Sequence, residues 1–396
     1  MGKSKKKMNK QICFILDWYP TPTNNGCIFA KHLICAIADQ GFDCVVIAPR
    51  IKNAQTENVP YERNEKTENG NLIRIFTPTY WHLTSRKQTM KLSMNNHFKV
   101  VMKVIKKGSL HPDAVYGHFI YQCGLTAARV GKELGIPSYC ACGENSLRLM
   151  PGNEPYSTGM KYAGWKEILN GLTGIISVSK YNKELLLEND FYKDEQRIAV
   201  FPNGFDSRKF YQMDKAEARK ELGFPEDKFI IAFTGAFTQR KGIDKLNSAL
   251  KNCDDVYSIF LGDGELRPDC ENILFCGKVS NDQVVLYLNA ADVFVLPTRE
   301  EGCCNAIIEA LACGLPVISS DKPFNYDVLN AENSILVNPD DINEIAAAIK
   351  KLHADRRVRE DMAQKSHEAG EKLSIERRAS NIIDFMLKKT QSRRKR

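Results

Sequence analysis

The chain has no long apolar run. None of its 396 residues lies in an uninterrupted apolar stretch approaching the ~18 residues of a membrane-spanning helix. The apolar run ICFIL near the start is too short for the core of a signal peptide, and Asp17 ends it. These absences argue against an integral membrane protein and predict a cytoplasmic one.

Metal-binding cysteine patterns are absent too, although the chain contains 13 cysteines. No pair is spaced C-x-x-C, and no Cys/His set has the spacing of a zinc site. Several cysteines, such as Cys13 and Cys44, lie in apolar segments typical of small buried side chains in a reducing compartment. We therefore predict no redox or metal role for the adjacent Cys303 and Cys304.

Three signatures of nucleotide-binding enzymes are missing. No G-x-G-x-x-G follows the first predicted strand, and GDGELR at 262–267 has only the first two glycines and follows the wrong strand. The P-loop motif and any D-x-D are absent as well. These absences argue against a dinucleotide dehydrogenase and predict a protein that requires neither a metal ion nor another cofactor.

The net charge of +8 is carried by the ends of the chain. Residues 1–10 hold five lysines and residues 388–396 six Lys or Arg, with no acid in either, so the body sums to about −3. A third stretch, 86–107, holds seven Lys or Arg with apolar residues at helical spacing, which predicts an amphipathic basic helix. One interpretation is that these three segments attach the protein to an anionic membrane surface. The other is that the two ends are solvated tails and that the helix packs on the protein with its polar side in solvent. The acidic body disfavours nucleic acid as a partner.

Short β-branched runs alternate with helical patterns along the chain, and this alternation restarts once. Strands are predicted at 12–17, 44–48, 72–76, 113–116, 138–141, 174–178, 198–201, 229–234, 257–261, 273–276, 293–297, 316–319 and 334–337. Helices are predicted near 27–40, 87–107, 122–134, 161–171, 180–188, 214–222, 242–251, 280–290, 304–313, 341–353, 355–371 and 375–389. The fold class is therefore α/β, with two doubly wound domains. Ligands of such domains bind beyond the carboxyl ends of the strands, so a cleft between the domains is the expected site.

The segment 298–321 is the most informative for chemistry. The loop from Glu301 to Cys304 precedes a predicted helix, whose free backbone N–H groups suit a phosphate or a sugar oxygen. Gly302 lets the backbone approach a ligand closely. Glu309 lies among apolar residues of this helix, where a carboxylate is costly without a partner. Because helical side chains point toward the helix N-terminus, the Glu309 carboxylate would face the loop and could accept hydrogen bonds from both hydroxyls of a ribose. Alternatively, Glu309 is an ordinary solvent-facing glutamate.

Other segments place polar residues at predicted strand ends. A buried strand ends at Gly235, and the following Arg240 and Lys241 could neutralise a diphosphate or could be ordinary surface charges. Gly26 lies in a turn after the first strand, which is a second candidate phosphate or sugar loop.

His118 lies at another strand end, and Glu144, Asn145 and Ser146 follow the next one. A lone histidine is usually structural, but at this edge it is a candidate general base or acceptor-binding residue.

Taken together, these segments resemble glycosyltransferase family 4, whose members are retaining enzymes of the GT-B fold. The resemblance runs over nearly the whole chain and rests on four ordered motifs. They are the strand and helix of 177–191, the N-G-x-D-x-x-x-F hinge at 203–210, the Arg240-Lys241-Gly242 loop, and Glu301 with Glu309 as E-x7-E.

The resemblance implies domains at 1–203 for the acceptor and 204–373 for the nucleotide-sugar donor. A last segment, 374–396, would hold a helix that crosses back to the first domain, followed by a basic tail.

It also implies roles for single residues. Arg240 and Lys241 would hold the diphosphate and stabilise the departing charge. Glu301 would face the donor sugar, and Glu309 would bind the ribose. The further implied contacts to the donor are Gly26, Gly235, Lys278, Val279, Gly302, Cys303, Cys304 and Asn305, with Glu144, Asn145 and Asn203 on the acceptor or sugar side.

Two positions depart from the family pattern. Ala236 stands where many members have an arginine after the strand-end glycine, so phosphate binding would rest more on Arg240 and Lys241. Cys142 stands where many members have a histidine, and His118 or Glu144 would then be the candidate replacements.

We therefore expect an enzyme that moves a hexose from UDP- or GDP-sugar to a lipid-linked or growing glycan in surface-polysaccharide synthesis. It would lie in the cytoplasm, at the inner membrane face if the basic segments bind there. A nucleotide-sugar epimerase on the same fold and a non-catalytic nucleotide-sugar-binding scaffold remain as alternatives.

Overall fold

The computed structural model describes residues 10–21, 24, 26–52, 57–82, 87–144 and 165–394. The chain divides into two compact units. Unit 1 comprises Met1–Phe201 together with Arg378–Arg396, and unit 2 comprises Pro202–Arg377. The basic tail at residues 1–9 lies outside the described residues.

Unit 1 is built on an eight-stranded sheet with the order β10-β9-β8-β7-β1-β2-β5-β4. All neighbours are parallel except β4, which pairs antiparallel with β5 at the edge. A separate parallel pair joins β3 and β6. The strands are β1 Gln11–Ile15, β2 Asp43–Ile47, β3 Arg50–Ile51, β4 Glu62–Lys66, β5 Leu72–Phe76, β6 Thr79–Tyr80, β7 Ala114–His118, β8 Ser138–Cys142, β9 Gly174–Ser177 and β10 Ile198–Val200.

Helices cover this sheet, and its central strands are therefore buried along nearly their whole length. The helices of unit 1 are α1 Ile28–Asp39, α2 Lys87–Lys107, α3 Leu125–Leu134, α4 Trp165–Asn170 and α5 Lys180–Glu188. Most of α12, Ile375–Arg394, belongs here as well, and the hydroxyl of Tyr139 in β8 donates to the carbonyl of Met386 at 2.7 Å.

Unit 2 has a six-stranded parallel sheet with the order β13-β12-β11-β14-β15-β16. Its strands are nearly continuous apolar runs because both faces are covered. The strands are β11 Phe229–Thr234, β12 Val256–Leu261, β13 Ile273–Gly277, β14 Val293–Leu296, β15 Val317–Ser320 and β16 Ser334–Val337. The helices are α6 Lys215–Leu222, α7 Ile243–Leu250, α8 Asn281–Ala290, α9 Asn305–Ala312, α10 Ile342–Ala354 and α11 Arg356–Gly370.

The predicted α/β class with two doubly wound sheets is confirmed. Three strands were not predicted, namely β3, β4 and β6, because two are only two residues long and β4 has the polar sequence ERNEK. The helix predicted at 122–134 begins only at Leu125, after an irregular turn. The helix predicted at 375–389 continues five residues further, to Arg394, into the basic tail. Lysine and arginine are good helix formers and carry the helix on.

The basic helix predicted at 86–107 is present as α2. Its apolar side packs in unit 1 through Met94, Val101, Met102 and Ile105, with Phe98 half-buried beside them. The lysines at 91, 99, 103, 106 and 107 are exposed. Among the described residues, no helix has the length and hydropathy to cross a membrane.

Candidate active site

The centre of the candidate site in unit 2 is the carboxylate of Glu301, in the loop between β14 and α9. Its Oε1 accepts hydrogen bonds from Lys241 Nζ at 2.5 Å, from Arg240 Nη1 at 2.9 Å and from Thr298 Oγ1 at 3.1 Å. Lys241 and Glu301 are largely buried, whereas the Arg240 side chain is 43% exposed. The loops after two adjacent strands, β11 and β14, thus bring two cations and one carboxylate together.

Backbone geometry explains why Lys241 reaches this carboxylate. The chain makes one tight helical turn over Gln239–Lys241 and leaves it at Gly242, which has φ of 71°. A side chain at Gly242 would place its Cβ 2.0 Å from the carbonyl oxygen of Pro297, so only glycine fits. This close approach presses the β11 loop against the end of β14.

Arg299 holds the same two loops from the other side. Its guanidinium binds Asp244 at the start of α7, Asp340 after β16, and the carbonyl of Gln239. Charged hydrogen bonds of this kind are stronger than neutral ones. Sequence analysis missed both Thr298 and Arg299, although they lie two and three residues after the end of β14.

The charges of this cluster affect the pKa of Lys241. Burial acts to lower that pKa, but the neighbouring Cys304 and Glu301 raise it overall. Lys241 is therefore a cation at neutral pH, and its Nζ lies 3.8 Å from Cys304 Sγ. Cys303 and Cys304 are both buried. Burial raises the pKa of the Cys304 thiol, so the neutral thiol is favoured over the thiolate.

The start of α9 has a polar atom without a partner. The side-chain oxygen of Asn305 is buried and makes no hydrogen bond to a described residue. Just before it, the Cys303 carbonyl accepts from Asn203 Nδ2 at 3.0 Å, which ties the predicted hinge residue to this loop. The buried hydroxyls of Thr234 and Thr238, on either side of Gly235 and Ala236, likewise have no partner in the described part of the chain.

Glu309 lies one turn further along α9. It is half-buried, and neither of its carboxylate oxygens makes a hydrogen bond to a described residue. Burial raises its pKa to about 7, and the positive charge of Lys241 opposes that rise. An unpaired carboxylate in this position is costly to the protein alone and is available to accept from a hydroxyl-bearing ligand.

The remaining residues predicted for the donor side lie at other loops of unit 2. Lys278 is exposed and pairs with Asp263 at 2.9 Å, and Val279 is its half-buried neighbour. Gly235 donates its N–H to the carbonyl of Leu261 at the end of β12. Gly302 is buried between Glu301 and Cys303.

The residues predicted in unit 1 occupy two environments. The N–H of Gly26 donates to Asn24 Oδ1 at 2.8 Å, and a Cβ at Gly26 would come 2.8 Å from the ring of Trp18. His118 is the last residue of β7 and is buried against the rings of Phe29 and Phe119. Burial lowers its pKa to about 3, so the imidazole is neutral.

Glu144 is buried directly after β8. Its Oε1 accepts from the N–H of Ile120 at 2.5 Å, while its Oε2 has no partner among the described residues. Burial raises its pKa to about 7, and the bond from Ile120 opposes that rise. Cys142, at the position where the resemblance leads one to expect histidine, is buried at the end of β8. Asn145 and Ser146 lie outside the described residues.

One group of side chains in unit 1 has the composition of a metal site. The ligand atoms of Asp17, His97 and Cys123 lie within 4.8 Å of one another. Nδ1 of His97 is bonded to Thr126 Oγ1 at 2.8 Å, and Cys123 Sγ donates to Asp17 Oδ1 at 3.0 Å. The independence from metal stays a prediction.

Two family models match the chain in succession. The model described as Glycosyltransferase Family 4 matches residues 28–209, and the model described as Glycosyl transferases group 1 matches residues 214–369.

Curated relatives agree with these matches. TuaC of Bacillus subtilis, whose name gives it as a teichuronic acid biosynthesis glycosyltransferase, is 26% identical over 90% of this chain and 93% of its own. CapM of Staphylococcus aureus, a capsular polysaccharide biosynthesis glycosyltransferase, is 29% identical over 48% of this chain and 54% of its own.

Solved structures show the same fold. A sucrose-phosphate synthase from Thermosynechococcus elongatus superposes with a TM-score of 0.76 at 19% identity, covering 96% of this chain and 99% of that one. Anabaena HepE in complex with UDP gives a TM-score of 0.71 at 16% identity, with 96% and 100% covered.

The fold is therefore GT-B, as the resemblance implied. The comparisons indicate a glycosyltransferase, and TuaC and CapM are named for the biosynthesis of surface polysaccharides.

Proposed function

We propose that this chain is a retaining glycosyltransferase of family 4 that transfers a hexosyl group from UDP- or GDP-sugar to a lipid-linked or growing surface glycan. The observation that carries the proposal is the cluster of Arg240, Lys241 and Glu301, with the unpaired Glu309 on the adjoining helix. The relatives named for teichuronic acid and capsular polysaccharide support the surface-glycan acceptor.

Departure of a nucleoside diphosphate leaves negative charge on its phosphate oxygens. Arg240 offers a planar fork and Lys241 a point charge at that place, and the backbone N–H groups at the start of α9 carry the positive end of the helix dipole. Such preorganised donors stabilise the transition state more than the ground state when charge develops between the two. On this proposal, Glu301 orients both cations until the donor binds and then accepts from the sugar hydroxyls.

Glu309 is proposed to bind the two ribose hydroxyls of the donor. Its carboxylate accepts no hydrogen bond from the part of the chain that the structure describes, so both oxygens are available to a ligand. Because the cations already supply positive charge, and because the sequence has no D-x-D, we further propose that the reaction needs no metal ion.

Unit 1 is proposed to bind the acceptor, and α2 to bring the enzyme to an anionic membrane surface. Its exposed lysines at 91, 99, 103, 106 and 107 lie beside an exposed leucine, Leu92. Each basic residue near such a surface contributes roughly 1 kcal/mol, so five suffice for measurable attachment.

The test compares Lys241→Ala and Glu309→Ala with the matched variants Lys220→Ala and Glu221→Ala on the exposed side of α6. Donor binding is followed as the rise in melting temperature with UDP-, GDP-, ADP- and CMP-sugars, and turnover as release of nucleoside diphosphate. We expect Glu309→Ala to weaken donor binding about a hundredfold, and Lys241→Ala to lower kcat by about 10²–10³. The α6 variants should match the wild type.

Four results would contradict the proposal or a part of it. Full activity in either site variant would remove the role given to that residue. An isomerised nucleotide sugar formed without any acceptor would identify an epimerase, and donor binding with no turnover would identify a scaffold. Activity that EDTA abolishes and a divalent cation restores would show that a metal is required.

A further inference from the structure

Unit 1 contains a cavity that no predicted site residue lines. It has a volume of about 250 Å³ and is lined by Asp17, Trp18, Pro49, Arg50, Ile51, Tyr80, Tyr121 and Gln122. These residues follow the carboxyl ends of β1, β2, β5 and β7, which are neighbours in the sheet in the order β7-β1-β2-β5. The cavity therefore lies where the strand order reverses, the usual ligand position in doubly wound sheets.

Its walls combine aromatic rings with one carboxylate. Trp18, Tyr80 and Tyr121 provide ring faces and edges. Asp17 is exposed, and its Oδ1 accepts from the buried thiol of Cys123 at 3.0 Å. No other hydrogen bond reaches this carboxylate from the described residues, so the second oxygen is available to a ligand.

Three donors in these walls lack acceptors in the described part of the chain. They are Trp18 Nε1, Arg50 Nε and Gln122 Nε2. Arg50 and Gln122 are each only 7% exposed, so water does not take the place of a partner. The Gln122 Oε1 atom accepts from the Tyr80 hydroxyl at 3.0 Å, whereas the Gln122 Nε2 atom has no hydrogen-bond partner among the described residues. Unpaired buried donors are costly, and a ligand rich in oxygen would pair them after small side-chain rotations.

The backbone at Gln122 is also unusual. Its φ of 53° and ψ of −61° lie outside the regions favoured for a residue with a Cβ, and Tyr121 before it is extended. Backbone of this kind persists only where the surroundings hold it, and here Tyr80 and the bond from Ile120 to Glu144 hold both sides of the turn. The turn places Tyr121 and Gln122 together in the wall of the cavity.

The charges select the kind of ligand. Arg50 stacks on the Trp18 ring at 5.0 Å and binds the carbonyl of Glu57, so its charge opposes a cation in the cavity. The Asp17 carboxylate opposes an anion. A neutral ring with hydroxyls on its rim and C–H groups on its face fits both the aromatic walls and the unpaired donors.

We propose that this cavity binds one pyranose ring, the terminal sugar of the acceptor. The inference rests on the proposed function, because it takes unit 1 to be the acceptor side of a glycosyltransferase. Asp17 accepts from a sugar hydroxyl, Trp18 and Gln122 donate to sugar oxygens, and the rings of Tyr80 and Tyr121 cover the C–H face.

The test uses the full chain with EDTA present, so that no metal at Asp17, His97 and Cys123 contributes. Methyl glycosides of glucose, galactose, mannose, N-acetylglucosamine and N-acetylgalactosamine are tested by saturation-transfer NMR and by quenching of the part of the tryptophan fluorescence that Trp18→Phe removes. A sugar diphosphate of a short prenol forms a second arm. If the prenol compound binds more tightly than the methyl glycoside of the same sugar, the source is lipid-linked; equal binding indicates the end of a free glycan.

The variants are Asp17→Asn, which keeps the shape and the acceptor for Cys123, and Trp18→Phe, which removes only the indole N–H and part of the ring. The matched control is Trp81→Phe, since Trp81 is 55% exposed and does not line the cavity. We expect at least one sugar to bind, about tenfold more weakly to Asp17→Asn, with the Trp81 variant unchanged. The rise in melting temperature with nucleotide sugar should be the same in all three variants.

Each failure has a separate signature. If no sugar of either arm binds while nucleotide sugar still does, the cavity assignment is wrong and the proposed function stands. Equal sugar affinity in wild type and Asp17→Asn would also overturn the assignment. If neither sugar nor nucleotide sugar binds, the proposed function falls and this inference with it.

Discussion

The half-buried, unpaired carboxylate of Glu309 should make the protein less stable at alkaline pH than its neutral isostere. Burial raises the pKa of Glu309 from 4.5 to about 7, so the native state holds this proton more tightly than the unfolded chain does. Stability therefore falls as pH rises from about 4.5 to about 7 and then stays at the lower level. Glu309→Gln removes this effect because an amide does not ionise.

The size of the effect follows from the pKa. A shift of this extent corresponds to about 3 kcal/mol. The side chain is partly exposed, so solvent screens the charge and about 1–2 kcal/mol is the reasonable expectation. For a unit of this size, that raises the melting temperature by about 2–8 °C at pH 8.

The assay is thermal unfolding of wild type and Glu309→Gln at pH 8 and at pH 5, without ligand. At pH 5 Glu309 is protonated in the native state and only a small part of the loss has occurred, so the difference should be much smaller than at pH 8. Glu221→Gln on α6 is the control and should change neither value, because Glu221 is exposed. A variant that is no more stable than wild type at pH 8, or equally stabilised at pH 5, would refute the reasoning. Weaker donor binding by the more stable variant would show that the carboxylate is kept for function.

Two further predictions concern the backbone of unit 2 and the surface of α2. Gly242→Ala should lower the free energy of unfolding by about 2–4 kcal/mol, because the added Cβ would clash with the carbonyl of Pro297. Gly223→Ala is the control: Gly223 has a similar φ of 68°, but a Cβ added there has no atom within 4 Å, so the loss should be about 1 kcal/mol. Denaturant unfolding measures both, and equal losses would contradict the steric argument. Reversing three exposed lysines of α2, in Lys99→Glu, Lys103→Glu and Lys106→Glu, should lower binding to anionic vesicles at least about a hundredfold. Co-sedimentation with anionic vesicles measures this binding. The control replaces the exposed lysines Lys220, Lys350 and Lys351 of unit 2 by glutamate in the same way. If the wild-type protein does not sediment with anionic vesicles, the membrane proposal is wrong.

Strand and helix positions were largely predictable because they depend on local patterns. β11 and β16 were predicted to the residue, as continuous β-branched runs between turn formers. α2 and α5 were likewise predicted to the residue from helical spacing. β4 was not, because its charged residues carry no apolar signal and it is held by pairing with β5 at the sheet edge.

The sequence also identified most of the polar residues of the cluster in unit 2. Arg240, Lys241 and Glu301 were singled out because each follows a predicted strand. What it could not show was that all three meet, since Lys241 and Glu301 are 60 residues apart and their contact depends on β11 and β14 being neighbours. Thr298 and Arg299 escaped notice for the same reason, because their partners lie in other loops.

The amino-acid sequence by itself determined the order of strands and helices, the two α/β sheets, and which loops carry charge, because these depend on the periodicity of neighbouring residues. Only the tertiary structure decided which loops meet. The cavity beside Asp17 is made by residues after β1, β2, β5 and β7, spread over more than a hundred positions of the chain. Its unpaired donors exist only once packing has removed water from them, and no local pattern records that removal.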